Sequence, residues 1–253
     1  MTRYKKILIT GASSGIGAEL SRIYLSQDVK VGVCGRNEER VHLVCGGNKN
    51  AKPIVFNIRD PEQTHNAIKH YSDDVGGLDL VILNAGTHAA TDAAEFNLET
   101  YTKIMNVNYI GTLNSLAPAI EIMKSQRAGT IAIMGSVAGY IGLPNAGAYC
   151  ASKAGLMRLA ETLRAELAAF NISVRLISPG FVKTPLTDQN DFPMPLLMDV
   201  EPAAKRIIAG LESNRYEIAF PRRLAWSLKL MSMLPPWLYF PLSKRFLPAH
   251  RNV

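Results

Sequence analysis

Short apolar runs alternate along this chain with longer stretches in which apolar residues recur every three or four positions. The runs are Ile7–Thr10, Val29–Cys34, Pro53–Asn57, Leu80–Asn84, Thr130–Gly135, Ser173–Ser178 and Glu217–Phe220, and they are continuous rather than alternating. Strands covered on both faces have that signature. The clearest periodic stretch, Ala151–Phe170, repeats Leu156, Leu159, Leu163 and Leu167 with Arg158, Glu161, Arg164 and Glu166 between them. That is the stripe of a helix packed by one face. A second helix is predicted from about Gly15 to Leu25. Alternation of this kind predicts one α/β domain: a doubly wound parallel sheet of about seven strands with right-handed crossovers and helices on both faces. Ligands of such sheets lie outside the carboxyl ends of the strands, so chemistry is sought just after each run.

The first run leads into Thr10-Gly-Ala-Ser-Ser-Gly-Ile-Gly17. Glycines at 11, 15 and 17 permit a tight turn, close approach of backbone to a pyrophosphate, and close helix–strand packing. The second run ends at Gly35-Arg36, and the first acid comes only at Glu38. An acid at that place holds the ribose 2′-hydroxyl of NAD, whereas Arg binds a 2′-phosphate bidentately. NADP(H) is therefore the favoured coenzyme, with NAD(H) the alternative.

Tyr149-Cys-Ala-Ser-Lys153 opens the long amphipathic helix, and of the nine tyrosines only Tyr149 has Lys four residues on. Four residues is about one turn, so the two side chains share a face. A phenol titrates near 10, and a neighbouring ammonium favours its ionised form. A strand ending at Ser136 precedes this helix.

Together these motifs resemble the short-chain dehydrogenase/reductase (SDR) family, over about Lys5 to Phe220. TGxxxGxG stands at Thr10–Gly17 and the NAG motif at Asn84-Ala85-Gly86. The helix asparagine falls on Asn108 in Asn108-Tyr-Ile-Gly111, and the serine on Ser136 in Gly135-Ser-Val-Ala-Gly139. Tyr149 and Lys153 follow, then Pro179-Gly-Phe-Val-Lys-Thr184. The resemblance implies a Rossmann-type domain over 1–221 and hydride transfer between nicotinamide and a carbonyl or hydroxyl group. By it, Tyr149 donates the proton and Ser136 bonds the substrate oxygen. Lys153 binds the nicotinamide ribose and lowers the Tyr149 pKa, and Asn108 holds a water on the proton path from Lys153. Coenzyme contacts are implied at Gly11, Ser13, Ser14, Gly15, Ile16, Gly17, Arg36, Asn57, Ile58, Asn84, Ala85, Gly86, Tyr149, Lys153, Pro179, Gly180, Val182 and Thr184, with no metal. Three positions depart from the family pattern. Asn57 replaces the usual Asp that meets adenine, and could bond the adenine amino group through its carbonyl oxygen. Leu83 precedes Asn84, and Ser14 stands where some NADP-using members carry a cation.

Composition narrows the rest. At 253 residues, 47% hydrophobic and 19% charged, the chain is neither disordered nor a disulfide-stapled miniature. Cys34, Cys45 and Cys150 have no metal-site spacing, which suits reduced thiols and a cytoplasmic protein. The basic start is followed by too short an apolar run for a signal peptide. The net charge of +7 is local: Arg215 to Val253 holds seven basic residues and one acid, and the first 214 residues hold 21 and 20. A nucleic-acid partner is thereby disfavoured.

The resemblance further implies a lid over 185–210 that covers the substrate, and Phe192, Met194, Leu196, Leu197 and Met198 would make it apolar and adaptable. The extension 222–253 has basic flanks with Trp226, Trp237 and Tyr239, while Lys229 and Pro235-Pro236 argue against a spanning helix. Two readings of it stand: peripheral membrane contact through 222–245, or packing on the lid or on another copy. The resemblance implies as partners a small apolar carbonyl or alcohol and further copies in a homodimer or homotetramer. Two other classes remain in view, a dinucleotide sensor without catalysis and a membrane module dominated by its tail.

Overall fold

The computed structural model describes residues 2–189 and 194–244. Seven strands form one parallel sheet: β1 Lys6–Ile9, β2 Lys30–Gly35, β3 Ala51–Val55, β4 Leu80–Leu83, β5 Gly129–Met134, β6 Ile172–Pro179 and β7 Glu217–Phe220. Their order is β3-β2-β1-β4-β5-β6-β7. In the inner strands successive residues feed opposite cores. Ile7, Ile9, Leu80 and Ile82 join one cluster, and Leu8, Val81 and Leu83 the other. This explains why those runs are apolar at every position.

Helices α1 Gly15–Leu25, α2 Glu38–Cys45 and α7 Val200–Glu212 cover the first face. The second is covered by α3 Pro61–Val75, α5 Gly111–Gln126 and α6 Gly147–Glu166. A short α4, Leu98–Met105, runs through a π-turn at Asn106–Ile110 into α5. The chain ends in α8 Arg222–Ser232 and α9 Pro236–Ser243.

Three expectations are displaced. The third run was expected to end at Asn57, but β3 stops at Val55, where its partner β2 also ends at Gly35. As an edge strand it is half exposed and tolerates Pro53. The helix expected over Ala151–Phe170 begins at Gly147 and tightens into a last 3-10 turn at Leu167–Phe170. The segment taken as a lid divides. Its second half is α7, whose Ala203, Ala204, Ile207 and Leu211 are buried in the main core. In the first half, Leu196 and Leu197 face outward and Met198 pairs with Val182 against the body. Phe192 lies outside the described residues.

Candidate active site

The carboxyl ends of β1, β2, β4, β5 and β6 converge on a cleft of about 340 Å³, within the range of small-molecule sites. After β1 the chain must turn sharply into α1. Gly11 (φ +63°) and Gly15 (φ +54°) take left-handed backbone there. A Cβ on Gly11 would lie 2.7 Å from Ala85 Cα. The Thr10 hydroxyl accepts from the N–H groups of Asn84 (3.0 Å) and Ala85 (3.1 Å), and Asn84 Nδ2 donates to the carbonyls of Thr10 and Gly11. This lattice locks the β1 turn to the β4 end. Gly17 sits behind it rather than in the cleft, because a Cβ there would meet Gly11 O and Asn84 Nδ2 at 2.5 Å. No acid stands in the first turn of α1, so its N-terminal N–H groups offer an anion site at the floor of the cleft.

Ser13, Ser14, Gly15, Ile16, Arg36, Ile58, Ala85, Gly86, Pro179, Gly180, Val182 and Thr184 all line the cleft, as do Gly11, Asn84, Ser136, Tyr149 and Lys153. Asn57 does not. Its Oδ1 is turned away to accept from Arg59 N (3.2 Å) and Nε (3.4 Å), so the side chain expected to meet adenine serves a local turn, and Phe56 and Ile58 line the cleft beside it.

Sequence reasoning missed Arg40. It lies four residues beyond Arg36 and is brought to the cleft because Asn37 caps α2 by accepting from Arg40 N at 2.8 Å. The signal available was Asn37 three residues before Arg40, a helix N-cap that sets the first turn of α2 just after the strand end. Also missed were the apolar wall residues Val107, Met134, Pro185 and Leu186, and His88, whose ring stands edge-on to Tyr149 at 5.0 Å. No Asp or Glu lines the cleft among the described residues.

Ser136 follows β5. Its Oγ accepts from Ala138 N (3.1 Å) and donates to Pro179 O (3.4 Å). Tyr149 lies in the first turn of α6 and Lys153 one turn on. Lys153 is buried, with Nζ 5.6 Å from the Tyr149 ring centre and donating to Met134 O at 2.8 Å. Burial pulls the Lys153 pKa from 10.5 down to about 8. Burial also pushes the Tyr149 phenol up to about 12, although the Ser136 hydroxyl acts to lower it. Desolvation of the phenolate is the largest cause of that rise, since burial removes the water that would stabilise the charged form.

Asn108 sits in the π-turn, fully buried behind the cleft. Its Oδ1 accepts from Thr87 N (2.7 Å), and its Nδ2 donates to Thr87 O and Ser152 Oγ, both at 3.0 Å. The side chain ties the loop after β4 to α6 beside Lys153. A π-turn inside a helix commonly marks a functional site.

The residues present fit a dinucleotide. The glycine cradle admits no Cβ at Gly11, the helix end and arginines favour phosphate, and the Tyr149–Lys153 pair closes the far end.

Comparison with known proteins agrees. The short chain dehydrogenase family model matches residues 5–193. An uncharacterized oxidoreductase of Myxococcus xanthus is 32% identical over 96% of this chain and 97% of its own length. FabG of Rickettsia prowazekii, a 3-oxoacyl-(acyl-carrier-protein) reductase, is 34% identical over 73% of this chain and 76% of its own. A short-chain dehydrogenase of Burkholderia cenocepacia, solved in complex with NADP, superposes with a TM-score of 0.82 at 27% identity, covering 96% of this chain and 97% of that one.

Proposed function

The chain belongs to the short-chain dehydrogenase family and is an oxidoreductase, and on that premise we propose that it is an NADP(H)-dependent carbonyl reductase or alcohol dehydrogenase acting on an apolar substrate. The observation that carries the coenzyme assignment is the charge of the cleft: Arg36, Arg40 and Lys153 line it, with no acid among the described residues. Two guanidinium groups, Arg36 just after β2 and Arg40 in the first turn of α2, suit a 2′-phosphate, where an acid would repel it. The coenzyme, when bound, supplies or accepts the hydride.

The chain's own groups manage the oxygen and its proton. In reduction, Tyr149 Oη gives its proton to the substrate oxygen and Ser136 Oγ donates to the same atom, so two placed donors meet the developing alkoxide. A phenol held at about 12 keeps its proton at neutral pH, which suits it as the acid of a reduction. Lys153, titrating at about 8, carries its charge there and stabilises the phenolate left behind. Asn108 acts as a positioning residue, holding the α6 turn through Ser152. Val107, Met134 and Leu186 on the wall support an apolar substrate, and the 3-oxoacyl reductase among the relatives supports a ketone.

Following absorbance while NADPH or NADH is offered with a panel of apolar aldehydes and ketones tests this reading. It expects turnover with NADPH well above that with NADH. Tight NADPH binding without oxidation by any carbonyl would favour a dinucleotide sensor instead, and a preference for NADH would overturn the coenzyme assignment.

A further inference from the structure

Helix α8 has two apolar faces, and only one is covered. The inner face places Ala225 and Leu228 in a cluster with Val137, flanked by Tyr140, Ile141, Ala219, Leu224 and Met231. Lys229 also turns inward: its ammonium pairs with Glu217 and lies 4.9 Å from the Tyr140 ring centre. Glu217 in turn accepts from Tyr140 and from Ser178. Beyond α8, the Tyr239 hydroxyl of α9 donates to Gly142 O. The tail is thus docked on the turn that follows Ser136, beside the cleft.

The outer face is exposed. Trp226 and Leu230 of α8, Met233 at its C-terminal cap and Trp237 of α9 are 70%, 66%, 80% and 72% accessible. Phe240 of α9 adds to them. Five large exposed apolar side chains in two adjoining helices call for an occupant.

Charge selects it. From Pro221 to the last residue there is no acid, against six cations. Arg222 and Arg223 at the head of α8 and Lys244 at the end of α9 are exposed and bracket the apolar stripe. A second copy docking by this face would bring two equally cationic surfaces together. A nucleic acid would leave Leu230 and Met233 facing its polar grooves. No helix among the described residues is long and apolar enough to cross a membrane.

We propose that α8 and α9 dock this protein on the surface of an anionic lipid bilayer, with Trp226, Leu230, Met233 and Trp237 seated between headgroups and acyl chains. Arg222, Arg223 and Lys244 meet lipid phosphates, while Lys229 stays with Glu217. The proposal does not rest on the redox reading, since lipid binding can be measured without turnover.

The chain's only two tryptophans are both exposed, one in α8 and one in α9, so native fluorescence reports directly. Full-length protein is titrated with vesicles of phosphatidylcholine alone and of phosphatidylcholine with phosphatidylglycerol, and binding is measured in parallel by co-sedimentation. The expected result is a blue shift and quenching by brominated lipid with the anionic vesicles only, weakening as salt rises. Replacing Arg222 and Arg223 by Gln weakens partitioning roughly 30-fold, at about a factor of five per cation. Leu230→Ser with Met233→Ser abolishes co-sedimentation while leaving the melting temperature unchanged, because both side chains are exposed. Equal binding to neutral and anionic vesicles, or no shift with either, would overturn the proposal. So would a blue shift without lipid accompanied by a doubled mass, which would give the face to a second copy.

Discussion

Lys153 is a cation almost sealed from water, with one carbonyl partner, and removing its charge should stabilise the chain while ending catalysis. Burial lowers its pKa from 10.5 to about 8. At about 1.4 kcal/mol per unit, the folded state at pH 7 bears roughly 3 kcal/mol of uncompensated desolvation. Methionine is unbranched and of similar length, so Lys153→Met fills the same channel without charge. The substitution forfeits the 2.8 Å bond from Nζ to Met134 O, worth about 1 kcal/mol. The net gain is about 2 kcal/mol, or a rise in Tm of roughly 4–8 °C for a chain of this size. The folded pKa lies below the unfolded one, so between about 8 and 10.5 the unfolded chain holds more protons and wild-type stability climbs with pH. The advantage of the variant is therefore full below pH 8 and vanishes above 10.5. Thermal melts without coenzyme, at pH 7 and at pH 10.5, measure both effects, with NADPH turnover assayed alongside. A variant that melts at or below wild type at pH 7, or a gain that persists undiminished at high pH, would refute the reasoning.

Four further outcomes are expected. Arg36→Asp should reverse the ratio of NADPH to NADH dissociation constants, and Arg40→Ala should weaken NADPH roughly tenfold to a hundredfold with NADH unaffected; an unchanged ratio in either would show that guanidinium to be idle. Burial raises the Glu217 pKa, but hydrogen bonds from Lys229, Tyr140 and Ser178 outweigh it and hold the carboxyl below its ordinary 4.5. Its stabilisation is thus present above about pH 4.5 and lost as pH falls through the lower folded value. Glu217→Gln should cost about 1–3 kcal/mol and flatten the acid limb of a stability titration, and an identical limb would contradict the clamp on α8. Gly17→Ala should lower Tm and coenzyme affinity together, since its methyl would meet Gly11 O and Asn84 Nδ2 at 2.5 Å; wild-type values for both would place the glycine outside the β1–β4 lattice.

What the sequence made legible follows from how local each signal is. The buried strands announced themselves because residues such as Ile7, Leu8 and Ile9 must be apolar on both faces of a covered sheet. The glycine turn and the Tyr149–Lys153 face were equally readable, since one turn of backbone sets each. The end of β3 was not, because it is fixed by where its neighbour β2 stops. The π-turn at Asn106–Ile110 has no composition of its own, and the engagement of Asn108 with Thr87 and Ser152 joins three distant segments. The burial of the Tyr149 phenol was hidden for a related reason. Spacing along a helix conveys the nearness of an ammonium but not the loss of water around the phenol, which raises its pKa.

In the proposed mechanism Tyr149 is the group that moves the proton. The decisive measurement is Tyr149→Phe, with NADPH binding followed by coenzyme fluorescence and turnover followed on the best carbonyl from the panel. Binding within a few-fold of wild type and oxidation of NADPH reduced to background are the predicted pair of results. Turnover at the wild-type rate, with the phenol oxygen gone, would contradict it.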